Sequence, residues 1–302
     1  MAGVGDRVKI TTKTETFEGV LLPDDKDFFV LKLDSGYNVG IAKAKKPKID
    51  VLAAAAPKKT STPPQKPNTP TQLSSSKLRT IAILHTGGTI ASKVDYETGA
   101  VVARYSPEEL LAQFPELKDI ANIKSRLLSN MSSDDMRFAH HTLIAKDIAK
   151  ELAAGVDGII VTQGTDTLHY TAAALHYILG DLGKPVLVVG AQRSSDRPSS
   201  DAAQNLLAAA HYIATSDFAG VAICMHETTD DDTCIILPGE RTRKLHSSKR
   251  DAFKAINAQP LARIRLNPLA IETLTHHHTR HAGNVTVKPI RETIKVALVK
   301  IH

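Results

Sequence analysis

The chain has little with which to build a cross-linked or metal-stapled domain. Of its 302 residues only two are cysteine, Cys224 and Cys234. That excludes disulfide frameworks, zinc fingers and zinc ribbons, and points to a reducing, cytoplasmic setting. Tryptophan is absent and aromatics reach only 4%, too few to support a surface that stacks bases. No stretch of eighteen uncharged apolar residues occurs, so no membrane-spanning helix is expected. The opening MAGVGDRVKI reads without the apolar segment of a secretion signal. What is present is ordinary for a globular chain: 42% hydrophobic and 23% charged residues, at a length that fits two domains.

The net charge of +6 is unevenly placed. Residues 43–77 carry eight lysines against one aspartate. Such a segment either contacts RNA or another polyanion through its phosphates, or simply keeps a linker soluble. Residues 53–78 mix Pro, Lys, Ser and Thr with almost nothing to bury, the composition of a semi-extended tether. Before it, GDRVKITT, TFEGVLLP, FFVLKLDSG and YNVGIA are short β-prone segments separated by turn residues. Residues 1–52 therefore read as a small SH3- or Sm-like β-barrel.

From residue 79 strands and helices alternate, implying a doubly wound α/β layer built on a parallel sheet. TIAIL, IANIKSRLL, GIIVTQ, PVLVVGAQ and GVAICM read as strands. A helix is expected to start at Ser106, with Pro107 in its first turn and Glu109 completing the cap. The segments around 136–155, 167–183 and 198–216 read as further helices. The tail from 256 is mixed, and TIKVALVKI near its end reads as one more strand.

In such sheets ligands bind beyond the carboxyl ends of the strands. Two of those ends carry unusual chemistry: HTGGTIAS after TIAIL, and TQGTDTLH after GIIV. Each sets a glycine-permitted turn beside a hydroxyl residue. TGGT lacks the Gly-Lys-Ser/Thr of a phosphate loop, and no GxGxxG fingerprint is present. Asp166 of GTDT is placed to cap a helix, a role compatible with catalysis. His85 reads as a packing residue more readily than as a proton donor. HHHTRH at 276–281 and Asp230–Asp232 read as solvated loops, with metal or cation binding as the alternative. Cys224 and Cys234 read as buried thiols near each other.

Together TGGTIAS, NMSSDDM, TQGTDTLHYTA, VGAQRSSDRPSSDAAQNL and ERTRKLHSSKRDAFKA resemble the bacterial-type asparaginase/glutaminase family, in family order and over nearly all of the chain but the tether. The resemblance implies a role for each matching residue. Thr89 takes the nucleophile position, and Tyr96, in YETGAV, matches the lid tyrosine. Ser133 and Asp134 match the residues that hold the substrate's α-carboxylate and α-amine. Thr165 and Asp166 match the second hydroxyl and its acidic neighbour. Lys244, nine residues before Phe253, completes the triad. Ala191 lines the pocket through its backbone, as Gly88 does in the turn that would supply oxyanion donors.

Family members with an N-terminal barrel, to which GDRVKITTKTETFEGVLLP and AQRSSDRPSSDA are similar, are glutaminase subunits of tRNA-dependent amidotransferases. That likeness implies glutamine hydrolysis, with the ammonia used by an E-type partner subunit that binds ATP and Mg and acts on Glu-tRNA(Gln). It further implies a homodimer of this subunit and no cofactor or metal on this chain. A stand-alone asparaginase and a non-catalytic binding scaffold are the alternative readings. Residues 79–288 would form the catalytic lobe and 289–302 the first strand of a smaller C-terminal lobe, which family members continue and which leaves this chain expected to be truncated and weakly active. The chemistry itself is general. Cleaving an amide needs a nucleophile, a base and donors for the oxyanion, and an ammonium becomes a base only where burial outweighs any paired carboxylate.

Overall fold

The computed structural model describes residues 3, 6–12, 15–21, 28–33, 38–53, 78–88, 92–94, 101–103, 114–193, 200–230, 232–283, 285–297 and 299. The expected helix start at Ser106 and most of the tether lie outside these residues.

The N-terminal module has five strands: β1 (Arg7–Thr11), β2 (Thr16–Leu21), β3 (Phe28–Leu33), β4 (Asn38–Ala42) and β5 (Lys48–Ala53). They pair antiparallel in the order β4-β3-β2-β1-β5. Alternation does the sorting. Val8 and Ile10 turn inward from β1 and meet Leu21, Leu31 and Ile41 in a small core. Lys9, between them, faces outward, level with Glu18 on β2 and Asp50 on β5. The fifth strand departs from the sequence expectation of four. Its charged Lys48 and Asp50 alternate with apolar residues, and all of it but Ala53 lies within the residues 1–52 read as the barrel.

Two short strands, β7 (Ser92–Val94) and β8 (Val101–Ala103), pair with each other. The larger unit is a sheet of eight strands between two helical layers. Its first part comprises β6 (Thr80–His85), β9 (Asn122–Leu127), β10 (Gly158–Thr162), β11 (Pro185–Val189) and β12 (Gly220–His226), all mutually parallel. The helices are α1 (Leu117–Ile120), α2 (Phe138–Ala153), α3 (Leu168–Leu179) and α4 (Ala202–Thr215). Alternate residues of one strand enter opposite cores. Ile81 and Ile83 pack with α1 and α4, while Ala82 and Leu84 pack with α2 and α3. Burial on both faces explains the unbroken apolar runs.

The parallel part is as expected, and the sheet as a whole is mixed. β13 (Thr233–Pro238), β16 (Ala262–Leu266) and β17 (Leu269–Thr273) extend it antiparallel beyond β12. The β12–β13 and β16–β17 links are short, and a parallel return needs a crossover of a dozen or more residues. A separate hairpin, β14 (Thr242–Lys244) with β15 (Phe253–Ala255), projects between β13 and β16 in sequence. Strand order β10-β6-β9 places β6 between its two successors. The chain therefore leaves β6 to one side and returns on the other, opening a crevice at the carboxyl ends of β6 and β10.

Two expectations for the tail are corrected. Residues 276–281 are not a free solvent loop. Arg280 donates to the carbonyls of Ile213 and Asp157 at 2.6 Å and of Ser216 at 3.2 Å. His277 reaches Asp217 at 2.9 Å and His281 reaches Asp181 at 3.1 Å. The segment laces the amino-terminal edge of the sheet, and burial pulls the Arg280 guanidinium down to about 10. Residues 294–297 are not a strand, because no described segment pairs with them, and Ile294, Val296 and Val299 are exposed. Asp230 and Asp232 do lie in an exposed turn, between β12 and β13.

Arg280→Ala strips three carbonyls of a charged donor. Chemical denaturation should show a loss of about 2–3 kcal/mol, and a change below about half a kcal/mol would mean the lacing carries no stability.

Candidate active site

The crevice is assembled by backbone close enough to exclude side chains. Gly87 and Gly88 follow β6 with φ of +111° and +81°. A β-carbon at Gly87 would lie 2.5 Å from the Met131 carbonyl oxygen, and one at Gly88 would lie 2.3 Å from the Gly164 nitrogen. Both the left-handed turn and the clearance demand glycine. Gly88, immediately before Thr89, thus touches Gly164, immediately before Thr165. Thr89 and Tyr96 themselves lie outside the described residues. Gly164 in turn faces the Ser133 side chain, its absent β-carbon only 2.9 Å from Oγ. Gly190 packs on Thr165 in the same way and delivers Ala191, which is buried.

Lys244 reaches this point from the β14–β15 hairpin, where it pairs in register with the fully buried Phe253. The nine-residue spacing noted in the sequence is the span of that hairpin loop. Lys244 Nζ donates to Thr165 Oγ1 and to Asp166 Oδ1, each at 2.8 Å. The lysine side chain is only 7% exposed and the aspartate 60%. The ammonium is enclosed while its counter-charge stays wet, so solvent screens the carboxylate's hold on it. Ser133 Oγ donates to Asp166 Oδ2 over a long 3.4 Å. Asp166 does not cap α3; its carboxylate is committed to Lys244 and Ser133. Thr165, Asp166, Lys244 and Ser133 thus converge, with Gly88 against Gly164 and Gly190, which precedes Ala191, against Thr165. Asp134 follows Ser133 in a short 3-10 turn, Ser133–Asp135, whose backbone accepts from Arg137.

Four supporting residues escaped the sequence reading. Gln163 donates to the Thr167 hydroxyl, which in turn donates to the Ser133 carbonyl. Buried Asp201 accepts the Gln192 and Arg193 N–H groups and the Asn205 amide, fixing the turn after Ala191. Gln192 also donates to the Lys249 carbonyl at 2.7 Å, tying that turn to the loop that follows Lys244. The i,i+4 spacing of Asp201 and Asn205 on α4 was a legible signal for one shared helix face.

Two imidazoles frame the site without joining it. His85 is enclosed, with Nδ1 2.7 Å from Thr162 Oγ1 and Nε2 2.9 Å from Ser125 Oγ, and burial lowers it to about 4. That is a packing role. His169 is also lowered to about 4, by burial first and then by Arg243 and Lys244. Cys224 and Cys234 are buried free thiols, both bonded toward Asn205. Among the described residues no group of three His, Cys, Asp or Glu could hold a metal ion, and no helix is long and apolar enough to cross a membrane.

Comparison with known proteins shows the family and the fold. Residues 80–276 match the family profile described as asparaginase, N-terminal, and residues 2–52 match the GatD N-terminal domain. The chain is 44% identical to the D-type subunit of glutamyl-tRNA(Gln) amidotransferase from Pyrococcus furiosus, over 99% of this chain and 68% of that protein. It is 43% identical to the Archaeoglobus fulgidus protein of the same name, over 98% and 68%. Among solved structures, L-asparaginase I of Vibrio cholerae is 32% identical with a TM-score of 0.61, covering 70% of this chain and 62% of that one. The thermostable L-asparaginase of Thermococcus kodakarensis gives 29% and 0.59, over 70% and 60%.

The buried His85 makes a pH prediction. Its folded value, about 4, lies below its ordinary 6.5, so below pH 6.5 the unfolded chain takes up the proton first. Stability is full above pH 6.5 and falls as pH drops through about 4, by up to about 3 kcal/mol from this group. Denaturation at pH 7 and pH 4.5 should show that loss, and His85→Asn should shrink it. An unchanged difference in the variant would contradict the assignment.

Proposed function

The chain belongs to the asparaginase family, and from that we propose that it is the glutaminase subunit of a tRNA-dependent amidotransferase. It hydrolyses glutamine to glutamate and ammonia, and the ammonia converts Glu-tRNA(Gln) to Gln-tRNA(Gln) on a partner. The observation that carries the chemistry is Lys244 Nζ at 2.8 Å from both Thr165 Oγ1 and Asp166 Oδ1. The choice within the family rests on the N-terminal module, whose residues 2–52 match the GatD N-terminal domain. The amidotransferase relatives share nearly the full length of this chain.

The residues divide the work as follows. Ser133 and Asp134 hold the α-carboxylate and α-amine, leaving the carboxamide over the two threonines. With Thr89 as nucleophile, its oxygen bonds to the carboxamide carbon while its proton leaves toward Thr165 and Lys244. Lys244 accepts a proton only in its amine form. Asp166 fixes the direction of that nitrogen. N–H groups of the Gly88 turn face the developing oxyanion. The tetrahedral adduct expels ammonia after the amide nitrogen takes up the proton. Water then cleaves the threonine ester, releasing glutamate and restoring the hydroxyl. Tyr96 closes over the bound substrate.

ATP and Mg belong to an E-type partner subunit, since this chain contributes no phosphate loop. A homodimer and a cytoplasmic setting complete the proposal, and the eight lysines of residues 43–77 suit contact with the partner or with tRNA. The solved neighbours are L-asparaginases, which keeps a second reading, a stand-alone asparaginase, open to one assay.

That assay measures ammonia release from glutamine and from asparagine, with and without the partner and charged tRNA. Glutamine cleavage stimulated by tRNA is expected; partner-independent asparagine cleavage would favour the second reading. Thr89→Ala, Thr165→Ala and Lys244→Met should each lower kcat by at least about a hundredfold. Full activity in Lys244→Met would refute the proposed base.

A further inference from the structure

Thr167 holds the residue position just before α3, where a threonine hydroxyl ordinarily accepts an N–H of the first helical turn. It makes no such bond. Its hydroxyl instead donates to the Ser133 carbonyl at 2.8 Å. A hydroxyl has one proton, so the group of Gln163 that faces it at 2.9 Å must be the amide nitrogen. That orientation turns the Gln163 carbonyl oxygen away. It is buried and meets no donor among the described residues, in a residue only 1% exposed. A helix cap is forgone, and a buried acceptor is left without a donor among the described residues, at the place where a single bond to Ser133 is kept. Locally unfavourable choices of this kind concentrate at functional positions.

Ser133 is the residue that gains. Its carbonyl already accepts the Met136 N–H at 3.1 Å within the Ser133–Asp135 turn, and the Thr167 bond fixes that turn from outside. Gly164 lies directly beneath the Ser133 side chain. The turn carrying Ser133 and Asp134 is thereby fastened to the turn carrying Thr165 and Asp166, through backbone and not only through the long Ser133–Asp166 contact.

We propose that Thr167, oriented by Gln163, is a positioning residue that sets the Ser133–Asp134 turn against Thr165–Asp166, and so governs substrate capture more than amide cleavage. The inference rests on the function proposed above, which assigns Ser133 and Asp134 to the substrate's α-groups. A merely structural threonine would change melting temperature without separating KM from kcat.

The test uses the full chain and its Thr167→Val, Thr167→Ser and Gln163→Met variants. Glutamine hydrolysis gives KM and kcat, and calorimetry gives the Kd for L-glutamate. Thr167→Val should raise KM and Kd about tenfold with kcat within about threefold of wild type. Thr167→Ser should restore both to within about twofold, and Gln163→Met should shift them the same way by less. Unchanged KM and Kd in Thr167→Val, or a fall in kcat alone, would overturn the proposal. Should Thr167→Val fail to fold, the remaining pair decides: glutamate binding weakened in Gln163→Met and normal in Thr167→Ser supports it, and any other pattern refutes it. A wild type that binds neither glutamine nor glutamate would defeat the proposed function and this inference with it, an outcome distinct from normal binding that ignores Thr167.

Discussion

An enclosed ammonium shared between a hydroxyl and a carboxylate is the interaction on which the rest of the site depends. Lys244 is separated from Thr165 and Asp166 by 79 and 78 residues, and each side arrives by a different device. The Thr165–Asp166 turn is the end of a buried parallel strand, fixed by the β6–β10–β11 ladder. Lys244 sits on a two-stranded hairpin anchored by Phe253. Placing a lysine at 7% exposure beside a wet carboxylate costs desolvation on one partner only. Such a contact contributes little to stability, and its geometry fixes where the lysine nitrogen points.

The glycines make that contact reachable. Gly87, Gly88, Gly164 and Gly190 each occupy a point where a β-carbon would strike neighbouring atoms at 2.3–2.9 Å. Removing four side chains lets four loops meet at backbone distance, which is why the residues between them are hydroxyls and small groups. The strand order supplies the crevice and the glycines bring its walls together. Asp201 and Gln192 then hold the outer wall to the hairpin loop.

Much of this was legible beforehand, for identifiable reasons. TIAIL and GIIV are buried on both faces, so their runs are unbroken and their ends easy to place. GTDT and TGGT announced themselves by glycine beside hydroxyl at matching strand ends. Other features left no local trace. Whether the sheet continues parallel or antiparallel beyond β12 depends on connection length and pairing, not on the composition of a strand such as TCIILP. Arg280 looked like part of a solvated histidine loop because its partners are carbonyls of Ile213, Asp157 and Ser216, far away in sequence. TIKVALVKI had strand composition, but its described residues 294–297 have no described neighbour to bond, and a strand needs one. Thr167 read as half of a motif, and its departure from capping is visible only in three dimensions.

The central claim is that Thr165 and Lys244 act as one unit, and a double-mutant cycle measures that directly. Glutamine-hydrolysis rates of the wild type, Thr165→Val, Lys244→Met and the double variant close the cycle. If the pair is a single proton relay, the double variant is no slower than the worse single one, leaving a coupling of at least about 2 kcal/mol. Losses that simply multiply would show two independent residues and contradict the account.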